Sequence, residues 1–569
     1  MIRYGLALVL IFVWTGAAVG QVGPSVVDPG EQIERERQLQ LQREQLQRAR
    51  PGQTIETERP EAVEEEALCF AIETIHLRGV TVFHSAKIDT LLADYKNTCM
   101  GQKRIEALLQ QLTNIYVDAG YLTTRAYVPQ QDLTKKSLTI DVVEGRVEAF
   151  VYQQIDADGE RSAGPSRKIW SAFPMAAGDI FQLRAAEQGL DQINRLRSSR
   201  ASITLKPGTK PGTSIVEIVE QKTDTSRGYL SIDNLGSEDT GGTRLRLAVE
   251  MDDLLSLNDT LSLTLVGTEE SNVVSASISM PLGRWTFSAF GSYSETLTAL
   301  NETADIFTQT VSGAITADRL IHRDARRKLH GYGSLAYYYS TRFINIAELT
   351  PQSRASLRFG LRQEEYFDGA ALSADVAMTL GAPFLGTDDD PGNLSDDFPR
   401  NSFAKLDARL GLSVRVAEDW QLFSSLTGQF AIVPLFSNQQ LTFGGWETVR
   451  GYKGNSVSGE QGAYVRNELL GPGLARTLGQ GESGGKASAW LPNLAGARLV
   501  LQPYAFADAG VVRNLGLNEA AALAGAGVGI KGEMGRISIS AGLAIPLAGH
   551  RGTDVGDMQG MINLTLKLF

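Results

Sequence analysis

The sequence predicts a mainly β protein built around a membrane-spanning antiparallel β-barrel. Nearly all of the chain beyond Gly228 alternates with period two. In residues 243–251, Leu245, Leu247, Val249 and Met251 share one face, and Arg244, Arg246 and Glu250 share the other. Residues 403–414 repeat the pattern, with Leu406, Ala408, Leu410 and Leu412 opposing Lys405, Asp407 and Arg409. So do residues 536–545, with Ile537, Ile539, Leu543 and Ile545 opposing Ser538, Ser540 and Gly542. Two-faced strands sustained over roughly 340 residues place lipid outside and water inside. A soluble barrel would have the opposite sense, with an apolar interior. Past the first twenty residues, no segment offers the ~18 uninterrupted apolar residues of a transmembrane helix.

Residues 1–20 read as a signal peptide, with Arg3, an apolar run at residues 6–14, and Ala18 and Gly20 at the small-residue cleavage position. An exported chain of amphipathic strands points to the outer membrane of a Gram-negative bacterium. The 54 Lys+Arg against 65 Asp+Glu give a net charge of -11, which argues against a nucleic-acid surface. The 2 cysteines, Cys69 and Cys99, suit a disulfide in an oxidising periplasm; a pair of buried free thiols is the other reading. No Cys-x-x-Cys pair or neighbouring histidine supports a metal site, and no cofactor is expected.

The N-terminal segment, residues 21–50, is expected to be a polar helix. Residues 31–50 hold no Gly or Pro and place Glu31/Arg35 and Glu44/Arg48 four apart, with only scattered Ile33, Leu39, Leu41 and Leu46. A helix of about 20 residues is about 30 Å long, matching a bilayer core, so it fits a water-filled lumen as a plug. A solvated arm is the competing reading. Residues 51–67, acidic and carrying Pro51 and Pro60, read as a tether.

Two mixed modules follow, at residues 68–145 and 146–222. In the first, a strand-like run ends at Gly79. A helical stripe of Leu108, Leu109, Leu112, Ile115 and Tyr116 spans residues 105–119 and stops at Gly120, and strands are expected at 121–128 and 137–143. The second repeats the order, with a strand at 147–155, a helix at 184–196 and paired strands at 202–205 and 214–220. Residues 223–569 form the barrel.

In this order the local strings become specific. Cys69-Phe70, Leu77-Arg78-Gly79, residues 120–124 (GYLTT), Val128-Pro129-Gln130 and residues 142–146 (VVEGR) resemble a polypeptide-transport-associated (POTRA) domain. Residues 189–196 (GLDQINRL), Pro207-Gly208 and residues 211–214 (PGTS) resemble a second one, and residues 233–236 (DNLG) with Thr240-Gly241 resemble the opening of a family barrel. The chain is thereby similar to the transporters of two-partner secretion (TpsB), members of the Omp85 superfamily. That resemblance implies 16 strands. It also implies that Val449, Arg450, Gly451 and Tyr452 form the tip of an extracellular loop, around residues 444–454, folded back into the barrel. The counterpart is a Phe-x-Asp-x-Gly string, Phe506, Asp508 and Gly510. The register agrees independently: Arg498, Gln502, Tyr504, Phe506 and Asp508 share one parity and Leu499, Leu501, Ala505 and Ala507 the other, so Asp508 faces the lumen and can meet an arginine there. The C-terminal Phe569 resembles an assembly signal, although it is out of step with Ile562, Leu564, Leu566 and Leu568.

The resemblance implies a type Vb secretion transporter. It takes an unfolded exoprotein (a haemolysin, adhesin or contact-dependent toxin) from its POTRA domains through its own barrel without ATP. Outer-membrane lipid and the barrel-assembly machinery are its other partners, and an assembly factor or a passive porin is the alternative. Enzyme chemistry finds no support. The G-x-S-x-G string at residues 481–485 lacks a strand before it and a helix after it, and the five histidines are scattered. The acidic stretch at residues 388–397 lacks EF-hand spacing and reads as a solvated loop.

Overall fold

The computed structural model describes residues 29–48, 68–82, 86–156, 158–237, 240–301, 303–477, 498–550 and 553–569. The expected signal peptide, the tether up to residue 67 and the string at 481–485 lie outside the described residues.

The first module packs α2 (Ala86–Tyr95) and α3 (Gln102–Asp118) on a three-stranded sheet. In that sheet Ser137–Val143 is central, parallel to Thr74–Arg78 and antiparallel to Arg125–Tyr127. The α3 residues Leu108, Leu112 and Tyr116, one helical turn apart, are fully buried against Ile75, Ile88 and Ile140. Gly120 ends the helix region at φ +93°. Cys69 and Cys99 form a disulfide, with Cα atoms 5.3 Å apart, beside a two-stranded sheet of Phe70–Ile72 and Thr98–Met100. The strand expected at 121–128 shortens to Arg125–Tyr127, because a turn with Thr124 N–H donating to Tyr121 O (3.1 Å) takes up its first half. The sequence reading passed over α2, although Ile88, Leu91 and Leu92 carry its helical spacing and are buried.

The second module is a four-stranded sheet in the order Arg161–Ala163, Arg146–Ile155, Thr213–Lys222, Ser199–Pro207, covered by α4 (Ser166–Ala172) and α5 (Leu183–Asn194). Both α4 and the edge strand Arg161–Ala163 go beyond the elements expected. Their shortness leaves no period to read, and α4 derives its place from the barrel. Asn258 Nδ2 donates to Lys168 O (2.9 Å) and Ser171 Oγ (2.8 Å), and Gly283 N–H donates to Ser171 O (2.7 Å). Beneath them Lys168 Nζ, fully buried, lies 2.8 Å from Glu220 and 3.1 Å from Asp253, the latter on a barrel turn. Farther along the rim, Arg323 and Lys328 both bind Asp191 of α5, at 2.6 and 2.5 Å. The module is thus bolted to consecutive turns at one end of the barrel.

Sixteen antiparallel strands, from Ser226–Asp233 to Gln559–Lys567, close the barrel through pairs running from Tyr229↔Lys567 to Asp233↔Asn563. Among the described residues the turns on the module side are short, and the long connections at residues 382–403 and 432–460 lie at the other end. Outward parity is apolar, with Leu245, Leu406, Leu410, Ile539 and Leu543 exposed, while the inward parity carries the charges, such as Arg358 against Asp407 at 2.6 Å. The last strand ends at Lys567, so Phe569 lies beyond the alternation rather than breaking it. Its ring covers the outer face of Gly228, where a Cβ would meet it at 2.6 Å.

The helix α1 (Pro29–Arg48) lies inside this lumen. Glu36 accepts from Arg244 (2.9 Å) and Arg246 (2.6 Å) of one wall, Arg43 donates to Glu468 (2.5 Å) on another, and Glu44 meets Arg197 of the second module (2.5 Å). The side chains of Glu31 and Arg48 lie outside the described residues, and with them the two expected i,i+4 pairs; Glu44 meets Arg197.

Candidate functional site

The long connection between Trp420–Ala431 and Gln461–Leu470 folds into the barrel and brings the tetrad Val449, Arg450, Gly451 and Tyr452 against its inner wall. Gly451 sits at φ +102°, in the left-handed region that a side chain disfavours, and passes next to the backbone of Ile545 and Pro546. Val449 and Tyr452 are fully buried with Phe443, Val457, Tyr464 and Leu523. The Tyr452 hydroxyl lies between the carbonyls of Ala524 (2.8 Å) and Ala548 (2.7 Å).

Arg450 is the largest fully buried side chain among the described residues. Its Nε donates to Asp508 Oδ2 at 2.6 Å and its Nη2 to Oδ1 at 2.8 Å, the bidentate fork that a planar guanidinium makes with a carboxylate. The backbone N–H of Arg450 adds a longer bond to the same carboxylate (3.3 Å), and Nη1 donates to Glu468 at 3.0 Å. The guanidinium stacks 3.7 Å from the centroid of Phe506, whose ring meets Trp446 edge-on at 5.5 Å. Phe506 and Asp508 stand two apart on Arg498–Asn514, so both point inward: one provides the platform and the other the charge. Gly510, two further on, leaves room for Phe443, which a Cβ there would approach to 2.7 Å.

The sequence-derived site residues therefore converge: the tetrad, Phe506, Asp508 and Gly510 form one inner-wall contact, while Cys69 and Cys99 lie apart in the first module. Sequence reasoning missed Glu468, Arg43, Lys531, Phe423 and Trp446. The inward parity of Gln461–Leu470 was available to flag Glu468 and, two residues before it, Arg466 at 3.9 Å; its other cationic partners come from three separate segments that no local spacing connects. A cavity of about 360 Å³ remains between α1, the wall and the loop tip, lined by Ile33, Glu36, Arg244, Trp446 and Lys453 among others. In the acidic loop, Asp390 accepts the N–H groups of Asn401 (2.6 Å) and Ser402 (2.8 Å), and Asp388 that of Ser353 (2.8 Å), so these carboxylates cap loop backbone. Among the described residues, no group of three or more His, Cys, Asp or Glu is arranged to hold a metal.

Comparison with known proteins agrees with this geometry. Residues 212–532 match the family described as haemolysin secretion/activation protein ShlB/FhaC/HecB, residues 70–145 the POTRA domain, ShlB-type, and residues 147–207 a POTRA domain. The outer membrane transporter CdiB of Escherichia coli strain 536 is 30% identical over 76% of this chain and 74% of its own. The hemolysin transporter protein ShlB of Serratia marcescens is 27% identical over 72% and 73%. The solved structure of CdiB from Escherichia coli superposes with a TM-score of 0.81 at 24% identity, over 95% of this chain and 99% of the other, and has the same fold. The chain belongs to the ShlB/FhaC/HecB family of haemolysin secretion/activation proteins, outer-membrane transporters of two-partner secretion with their POTRA domains in the periplasm.

Proposed function

We propose that the protein takes one large unfolded exoprotein of the haemolysin, adhesin or contact-dependent toxin type from its two periplasmic modules and passes it through its own lumen to the cell surface. The observation that carries this reading is how the lumen is filled. Both obstructions, α1 and the loop tip, attach to the wall through side chains and a few backbone contacts, without joining the strand ladder that holds the barrel closed. Side-chain attachments can be exchanged while the barrel stays intact; a ladder strand cannot leave without opening it.

The modules act before the pore. Their exposed strand edges, Arg125–Tyr127 in the first and Arg161–Ala163 in the second, are open to pairing with an extended client segment, a mode that tolerates varied side chains. Net direction comes from the client folding outside, which removes unfolded chain from the pore. The anchoring of the second module to the rim keeps the client's entry beneath the lumen. The barrel's apolar exterior is solvated by outer-membrane lipid, and its own insertion falls to the barrel-assembly machinery.

Deleting the gene and taking inventory of secreted and outer-membrane proteins tests the reading. Loss of one large exoprotein is expected. Loss of many barrels would instead make the protein an assembly factor, and loss of neither would make it a pore.

A further inference from the structure

Glu468 connects the two obstructions. It stands on Gln461–Leu470, facing inward with its side chain 5% exposed, between α1 and the loop tip. Its Oε1 accepts from Arg43 of α1 (2.5 Å) and from Lys531 of the wall (2.7 Å), and its Oε2 from Arg450 of the loop (3.0 Å). Both arginines rest on rings of one apolar cluster, Arg43 4.9 Å from the centroid of Phe423 and Arg450 3.7 Å from that of Phe506. Two cations from two separately removable elements therefore share one carboxylate.

Guanidiniums on opposite oxygens of a carboxylate lie within about 7 Å of each other and repel. Water screens that repulsion only in part, because Arg450 is fully buried while the Arg43 side chain is 31% exposed. Each also draws on the same negative charge. Asp508, by contrast, receives Arg450 from the loop and no contact from α1 among the described residues. Arg43 and Arg450 are thus rivals for Glu468, while Asp508 belongs to the loop.

We infer that α1 and the loop tip compete electrostatically for Glu468: seating Arg43 loosens the tip, and departure of α1 tightens Glu468 on Arg450. The sign is opposite to that of a helix that buttresses the loop mechanically. It orders the two events, since a lumen from which α1 has just left holds its loop more firmly until the client displaces it. The inference rests on α1 being removable.

The test reads release of the tip as modification of a cysteine placed at Val449, fully buried when the tip is seated. The 2 native cysteines are joined to each other, so a membrane-impermeant maleimide reads position 449 alone. Full-length Val449→Cys protein is labelled with and without Arg43→Ala, Glu468→Gln and their combination, each variant first shown to run as a folded, heat-modifiable barrel. Arg43→Ala is expected to slow labelling about three- to tenfold. Glu468→Gln is expected to speed it, and Arg43→Ala to have no effect in the Glu468→Gln background. Faster or unchanged labelling in Arg43→Ala overturns the inference, as does slowing that persists without Glu468. Single-channel conductance after deletion of residues 22–50 separates the two readings: unchanged conductance removes the plug, whereas the labelling rates judge the competition.

Discussion

Arg450 and Asp508, 58 residues apart in sequence, meet in a buried two-point fork that fixes the tip of a long loop to the inside of the barrel wall. Removing Arg450 strips the buried Asp508 carboxylate of its fork, at about 3–5 kcal/mol, and removing Asp508 leaves Arg450 with only Glu468 as carboxylate partner. Arg450→Ala and Asp508→Ala are each expected to cut secretion about tenfold or more while the barrels still insert and remain heat-modifiable, since the closed strand ladder is untouched. In a double-mutant cycle the combined variant should be little worse than either alone. Losses that multiply would show the two residues acting separately.

Deleting residues 22–50 should raise single-channel conductance in planar bilayers and leave much of the secretion intact. The deletion removes contacts to Arg244, Arg246, Glu468 and Arg197 but no ladder bond. Conductance equal to that of the intact protein would mean that α1 does not limit the pore.

Lys168, Glu220 and Asp253 bolt the second module to the barrel. Burial raises the pKa of the Glu220 carboxyl; the Lys168 ammonium beside it, together with the Ser199 and Tyr152 hydroxyls that donate to the Glu220 carboxylate, more than reverses this and holds it below its ordinary value of 4.5. A carboxyl depressed in the folded state contributes stability that is fully present above its unfolded pKa and is lost as pH falls through the folded one. Resistance of the module to limited digestion, by trypsin near neutrality and by the acid protease pepsin below about pH 5, should therefore be flat down to about pH 4.5 and decline below it. Lys168→Met should weaken this resistance at neutral pH by about 3–5 kcal/mol of opening free energy, because Glu220 and Asp253 lose their shared cation. Unchanged digestion would show that the ion triad does not hold the module.

The barrel was legible because lipid and water impose a period-two code on every strand, and Leu245 against Arg244 or Leu406 against Asp407 state it locally. The facing of Asp508 followed from the same parity. The meeting of Arg450 with Asp508 rested on resemblance, because parity gives direction and not distance. Glu468 was hidden for that reason: Arg43, Arg450 and Lys531 are brought to it by closure of the barrel and by seating of α1. The helix α4 was hidden because its seven residues are placed by turns of the barrel, Asn258 and Gly283, rather than by its own period.

Passage of the client through the lumen is tested most directly by its neighbours in transit. Ser334 and Leu335 are adjacent on Arg327–Ile344. Ser334 faces inward, accepting from Thr316 at 2.9 Å, and Leu335 faces lipid. A photo-crosslinking residue at 334 should capture the exoprotein while it is being secreted, and the same residue at 335 should not. Absence of an exoprotein adduct at 334, or equal adducts at both positions, would contradict transport through this barrel.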